Sequence, residues 1–377
     1  MYQKPIPEKY KAMPAGEVLD LIGRRKREIG PRMIILGHHY QRDEIIQFAD
    51  YTGDSLELSR IAAREQAPFI VFCGVHFMAE SADILARAGQ TVLLPDLSAG
   101  CSMADMADLD QVEAAWAWLT ANRPAGKKLV PVTYVNSSAA IKAFCGRRGG
   151  LCCTSSNCRQ VLESIWGADP GAAVLFMPDE HLGRNTAYKM GVSLAEMSLW
   201  DPYAPAGGLT PEQARASRIV LWKGFCSVHQ EFTAKQIVAV RKADPQVRVI
   251  VHPECPFSVV QAADESGSTA HIIKVIRAAA PGSHWAVGTE INLVSRLAAE
   301  MAPRGVQVES LSTTHCQCET MYRIDPAHLA WLLDALAAHL AQPAAAELTN
   351  VVRVEQKIKK DARQALEKML NITAPKS

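Results

Sequence analysis

The sequence predicts a parallel α/β protein built from three loosely repeated blocks. Short apolar runs recur along the chain at 33–36, 69–73, 91–94, 129–135, 173–177, 218–222, 247–251 and 285–287. Stretches with helical spacing fill many of the gaps, and strands that alternate with helices build βαβ units in a parallel sheet. New β-α-β blocks open near residues 33, 129 and 218, without strong identity between them.

The elements follow in order. Residues 1–32 read as an N-terminal helical segment, with Val18, Leu19, Leu21 and Ile22 on or near one face. The blocks then span 33–125, 126–210 and 211–325. The Pro- and Gly-rich stretch 202–211 reads as a linker before the third block. Within that block Thr233 reads as an N-cap, with Ile237 and Val240 on the apolar stripe that follows. Residues 326–377 form a helical tail. Leu329, Leu332, Leu333, Leu336 and Leu340 make one stripe; Ile358, Ala362, Leu366, Met369 and Leu370 make another. The lysines of 357–360 read as a solvated helix face.

Composition narrows the function. The chain has 377 residues, 48% of them hydrophobic and 21% charged, enough for a sizeable core. Forty Lys and Arg against 39 Asp and Glu leave a net charge of +1. Nucleic acid is thus not an expected partner, because no basic excess exists to neutralise phosphates. No apolar run approaches the roughly 20 residues of a membrane span. Residues 1–14 lack the apolar core of a signal peptide. The expectation is a cytoplasmic protein with no membrane association. Ten cysteines then need an account other than a disulfide framework. Some are small buried apolar residues; a subset binding a metal or a cluster is the sharper reading.

Polar groups gather at the C-terminal ends of the expected strands, where parallel α/β proteins bind ligands. His38-His39-Tyr40 ends the first run. Tyr134-Val135-Asn136-Ser137-Ser138, Cys153-Thr154-Ser155-Ser156-Asn157, Phe225-Cys226-Ser227-Val228-His229 and His252-Pro253-Glu254-Cys255 occupy similar places. Ser, Thr or Asn before a helix is an ordinary N-cap. Their recurrence at one topological position instead describes an anion site made of helix N-termini. Neither G-x-G-x-x-G nor G-x-x-x-x-G-K-[ST] occurs, which disfavours a nucleotide cofactor. No paired C-x-x-C units support a zinc finger.

The ordered set of strings is specific. Gly37-His38-His39-Tyr40-Gln41, Gly53-Asp54-Ser55-Leu56-Glu57-Leu58, Phe77-Met78-Ala79-Glu80, Tyr134-Val135-Asn136, Cys153-Thr154-Ser155-Ser156-Asn157, Pro178-Asp179-Glu180-His181-Leu182-Gly183-Arg184-Asn185 and His252-Pro253-Glu254-Cys255 resemble the [4Fe-4S] quinolinate synthase family from about residue 30 to 325. The resemblance implies three pseudo-threefold-related α/β/α domains with short parallel sheets around a central active site. It implies condensation of iminoaspartate (iminosuccinate) with dihydroxyacetone phosphate to quinolinate, releasing phosphate and water, in de novo NAD biosynthesis. A functional link to an L-aspartate oxidase that supplies iminoaspartate follows from it.

The same resemblance implies one [4Fe-4S] cluster held by Cys101, Cys226 and Cys318. These cysteines lie much farther apart in sequence than those of ferredoxins. Three thiolates leave one iron open as a Lewis acid, which suits a reaction that loses water. His38, Ser55, Tyr134, Asn136, Ser155, His252, Glu254 and Thr269 match the family's substrate-binding positions. Tyr40 matches a tyrosine of proton transfer, and Glu254 with His252 joins it as a catalytic candidate. His229 supports Cys226 or the substrate, or is structural.

Cys73, Cys145, Cys152, Cys153 and Cys158 match no ligand position and read as packing thiols, and Cys255 is not expected to be a ligand. The segment Gly146-Arg147-Arg148-Gly149-Gly150 reads as a local insertion. Cys316 and Cys318, two apart on an extended segment, face the same side and either could reach an iron, with His315 a further donor. The family register selects Cys318, three residues before Met321. Two other readings remain: an iron–sulfur hydro-lyase on another small dicarboxylate, and a non-catalytic iron–sulfur sensor.

Overall fold

The computed structural model describes residues 3–314 and 316–372. The chain is α/β, with three short sheets flanked by helices, and it divides into two compact units. Met1–Cys101 and Gln317–Glu355 form the first unit; Ser102–Cys316 and Gln356–Ser377 form the second.

The first unit holds one sheet. Its strands are β1 (Met33–His38), β2 (Tyr51–Gly53), β3 (Phe69–Cys73) and β4 (Thr91–Leu93), all parallel. The interior strands β1 and β3 are nearly all buried and read as continuous apolar runs, as strands covered on both faces do. A two-residue strand, Val351–Val352, adds antiparallel to β4. The helix Ala15–Ile29 buries Val18, Leu21 and Ile22. It packs on the helix Pro326–Ala341, whose Leu329, Leu332, Leu333 and Leu336 are buried. Asp334 of that helix accepts hydrogen bonds from Tyr10 (2.7 Å) and Arg25 Nε (2.6 Å).

The second unit holds two all-parallel sheets. One contains β5 (Leu129–Tyr134), β6 (Leu151–Cys153), β7 (Ala173–Met177), β8 (Met197–Trp200) and β9 (Ile219–Trp222), in the order β6-β5-β7-β9-β8. The other contains β10 (Arg248–Val251), β11 (Glu265–Ser266), β12 (His284–Gly288) and β13 (Gln307–Ser310), in the order β11-β10-β12-β13. The helix Ala234–Ala243 starts at Thr233, whose side chain and that of Gln236 close a capping box.

Two expectations change. The run at 219–222, which the spacing places at the opening of a third block, pairs with β7 and β8 inside the second sheet. Residues 202–211 are accordingly a connection within one sheet and not a linker. Gly207 there adopts φ +64° against the Trp200 indole, where a Cβ has no room. The two stripes of the tail lie on two separate helices with different partners. The second, Gln356–Ile372, packs on the helix Ala139–Arg147. Gly146 belongs to that contact: a Cβ on it would run into the Asp361 carbonyl. Among the described residues no helix is long and apolar enough to cross a membrane.

Candidate active site

In the first unit, β1 ends at His38, buried at 4% exposure. Its Nδ1 accepts from the Tyr40 backbone N–H at 3.1 Å, so Nε2 is left as the ring's donor. The two rings meet edge to face, with centroids 4.7 Å apart. Gln41 follows, fully buried, and its side chain donates to the Met321 carbonyl at 3.3 Å. Arg42 stacks on the Tyr322 ring and donates to its carbonyl. The loop after β1 is thereby clasped to the segment that carries Cys318, whose carbonyl accepts from Tyr322 N–H. Ser55 opens the helix Ser55–Arg64, where Asp54 caps the amides of Leu56 and Glu57, each at 3.0 Å. The Cys101 loop is fixed by Asp96, which accepts from the Ser98 amide (2.8 Å) and hydroxyl (2.5 Å). Arg323 Nε donates to Ser98 Oγ at 2.8 Å. Arg323 thus ties the Cys101 loop to the Cys318 segment, a role no local sequence signal announces.

In the second unit, Glu254 is the centre, 3% exposed at the end of β10. His229 Nδ1 lies 2.6 Å from its Oε2, and Tyr134 is hydrogen-bonded to it. His229 Nε2 faces Thr289 Oγ1 at 3.2 Å, and its ring stacks on His252 with centroids 4.4 Å apart. Burial works to raise the Glu254 carboxyl, but the neighbouring His252 and His229 and the hydrogen bonds from His229 and Tyr134 outweigh it and hold it at about 2. Burial pushes His252 down to about 3, against the pull of Glu254, so its imidazole is neutral. His252 Nδ1 accepts the Glu254 amide at 3.3 Å, which leaves Nε2–H as a donor.

Cys226 precedes the short helix Ser227–Gln230. Its sulfur, a His229 ring nitrogen and a Glu254 oxygen all lie within 4.8 Å of one another. The structure therefore joins Cys226, His229, Tyr134, His252 and Glu254 in one constellation, and gives His229 a definite partner. Two members of the string 178–185 take roles that the sequence did not give them. Asn185 donates to the carbonyls of Pro253 (2.8 Å) and Cys255 (2.9 Å), clamping the Glu254 turn. Asp179, fully buried, has its carboxyl pushed well above the ordinary range, by burial first and by Glu254 second. It accepts from the Leu182 amide at 2.7 Å.

The remaining sequence-derived residues of this unit sit at turns and helix starts. Asn136 follows β5, and its Oδ1 is buried with no hydrogen-bond partner among the described residues. Ser155 lies half-buried in the turn between β6 and the helix Cys158–Ala168. Asn157 Oδ1 braces that turn by accepting from Thr154 N–H at 2.7 Å. Thr269, 3% exposed, opens the helix Thr269–Arg277 beside its Ser268 cap.

The ten cysteines are sorted by exposure. Seven are buried, while Cys101, Cys226 and Cys318 are half-exposed. Burial raises the Cys73 and Cys152 thiols to about 12, and raises Cys145, Cys153 and Cys255 well above the ordinary value. Such thiols make poor metal ligands, because the ligand is the thiolate. Cys316 is among the buried set, 2% exposed, with its thiol also raised by burial. Cys101 and Cys318 belong to the first unit and Cys226 to the second. His315 lies outside the described residues.

Comparison with known proteins gives this donor set its context. Residues 21–371 match the family model described as quinolinate synthetase A protein. A quinolinate synthase of Nocardioides sp. is 53% identical over 92% of this chain and 86% of its own length. One of Halalkalibacterium halodurans is 51% identical over 98% and 97%. One of Acidobacterium capsulatum is 49% identical over 96% and 95%. With half of all positions identical across both units, and the strings around His38, Asn136, Ser155 and Glu254 set at the ends of parallel strands, the chain belongs to the quinolinate synthetase A family.

Proposed function

We propose that the protein is a quinolinate synthase, condensing iminoaspartate with dihydroxyacetone phosphate to quinolinate with release of phosphate and water. The observation that carries the reading is the exposure of the cysteines. In a chain of this family, the three half-exposed thiols are the three at the expected ligand positions. Cys101, Cys226 and Cys318 would hold the [4Fe-4S] cluster. When bound, the cluster supplies a Lewis acid at the iron that three thiolates leave open.

The chain's own residues divide the remaining work. Iminoaspartate carries two carboxylates and the triose a phosphate, so the site has to hold anions without a large basic patch. Ser55 and Thr269 stand in the first turns of helices, where amide dipoles favour negative charge. His38 brings an imidazole to the same anions, and His252 keeps Nε2–H as a donor for them. Asn136 and Ser155 add short polar groups at neighbouring strand ends. Glu254 is ionised throughout the physiological range and accepts a proton or a hydrogen bond; it does not arrive as an acid. Proton donation therefore falls to Tyr40, whose ring packs against His38. Tyr134 and His229 hold the Glu254 carboxylate in place. Supply of iminoaspartate falls to an L-aspartate oxidase.

Anaerobic incubation of the protein with iminoaspartate and dihydroxyacetone phosphate tests the reading. Quinolinate is the expected product. Dehydration of another small dicarboxylate without quinolinate would assign a hydro-lyase, and a cluster without turnover would assign a sensor.

A further inference from the structure

Far along the second sheet from Tyr134, Asn136 and Ser155 lies a cavity of about 270 Å³. It sits at the N-terminal ends of the strands, where Lys127 precedes β5, Ala173 begins β7, Glu196 precedes β8 and Arg218 precedes β9. The strands of this sheet are four to six residues long apart from the short β6, so about 13–20 Å of sheet separates the two ends.

Four basic side chains line the cavity, Arg123, Lys127, Arg215 and Arg218, against the single carboxylate of Glu196. Arg215 is paired with Glu212 at 2.5 Å. The other three have no ion-pair partner within 4 Å among the described residues. Two are preset. Arg123 donates to the carbonyls of Ala214 (3.2 Å) and Ser217 (3.1 Å). Arg218 lies over the Trp166 ring, 4.6 Å from its centroid. The Nε atoms of both are buried and make no hydrogen bond to a described residue. Glu196 is turned to its own capping box, accepting from the Ser193 amide (3.0 Å) and hydroxyl (2.8 Å). A folded protein seldom keeps buried guanidinium N–H groups unpartnered, and fixed guanidinium groups match phosphate oxygens.

We propose that this cavity is a second anion site, which binds a small molecule through a phosphate or diphosphate group, on the opposite end of the sheet from the candidate active site. Its size lies just below the roughly 300 Å³ at which small-molecule pockets begin, which admits a phosphate ester or pyrophosphate. Four basic side chains against the one carboxylate of Glu196, which feels the charge of Arg218, leave a positive field that makes binding sensitive to salt.

The test is calorimetric titration of inorganic pyrophosphate into the anaerobically prepared full chain, at low salt. It is repeated on Lys127→Gln/Arg218→Gln and on Ser155→Ala. The expected result is a binding event that weakens tenfold or more in the double variant and persists in Ser155→Ala. The double variant keeps the wild-type KM for both substrates when pyrophosphate is absent. Lys127→Gln alone, at an exposed position, should weaken binding several-fold with an unchanged melting temperature, so a fold defect in the double variant does not decide the matter. Equal affinity in wild type and Lys127→Gln, loss of binding in Ser155→Ala, or no binding at 10 mM pyrophosphate would each overturn the proposal.

Discussion

Glu254 carries a charge that its burial alone would forbid, and the surrounding histidines and Tyr134 are what permit it. Glu254→Gln keeps the shape and removes the acceptor. It should lower kcat about 100-fold or more with iron content unchanged; a change confined to KM would make Glu254 a binding group only. His252 sets an acid limit on stability. Its folded-state value of about 3 lies below the ordinary 6.5, so below pH 6.5 the unfolded chain takes up the proton first. Stability is lost as pH falls from 6.5 toward 3, by about 2 kcal/mol at pH 5. Glu254, also depressed, adds a loss below its ordinary 4.5. Urea midpoints at pH 7 and pH 5 should converge in His252→Gln relative to wild type; an undiminished difference contradicts the assignment. Between Cys316 and Cys318, burial and register both favour Cys318 as the ligand. Cys318→Ser should abolish stable cluster binding, and Cys316→Ser should keep the parent's iron and sulfide. The reverse result would move the ligand to Cys316. Sequence strings marked His38, Asn136, Ser155 and Glu254. Arg323 left no such mark, and the string 178–185 named Asp179 and Asn185 without their roles, because those roles exist only against residues distant in sequence.

The strands divide cleanly between those the sequence announces and those it does not. Each of the eight apolar runs became an interior strand of a sheet, buried on both faces. β2, β6, β8, β11, β13 and Val351–Val352 were not legible, and all six are sheet edges. An edge strand has a neighbour on one side only and needs no long apolar run, so two to four residues such as Glu265–Ser266 suffice. The glycine-rich segment 146–150, which begins inside the helix Ala139–Arg147, shows the same limit. It reads as an insertion, whereas Gly146 is where that helix meets the backbone of the helix Gln356–Ile372. Because the obstacle is a carbonyl and not a flexible side chain, Gly146→Ala should cost about 2 kcal/mol or more. A urea midpoint equal to wild type would show that the helices part without cost.

Across the whole molecule the chain passes from the first unit to the second and returns once to each. Nothing local marks the return of 317–355. It is made by Val351–Val352 on β4, by Asn350 Nδ2 on the Pro95 carbonyl at 2.6 Å, and by the Val354 amide on Asp83 at 2.9 Å. Of the cysteines expected to hold one cluster, Cys101 and Cys318 belong to the first unit and Cys226 to the second. An iron left open by three thiolates is exposed to oxidants. The most direct measurement is therefore exposure of anaerobically prepared protein to air, following quinolinate formation and the visible absorption of the cluster in the same sample. The account predicts that the two decay together and that reconstitution with iron and sulfide restores both. Full activity in an aerobically purified, iron-free sample would contradict it.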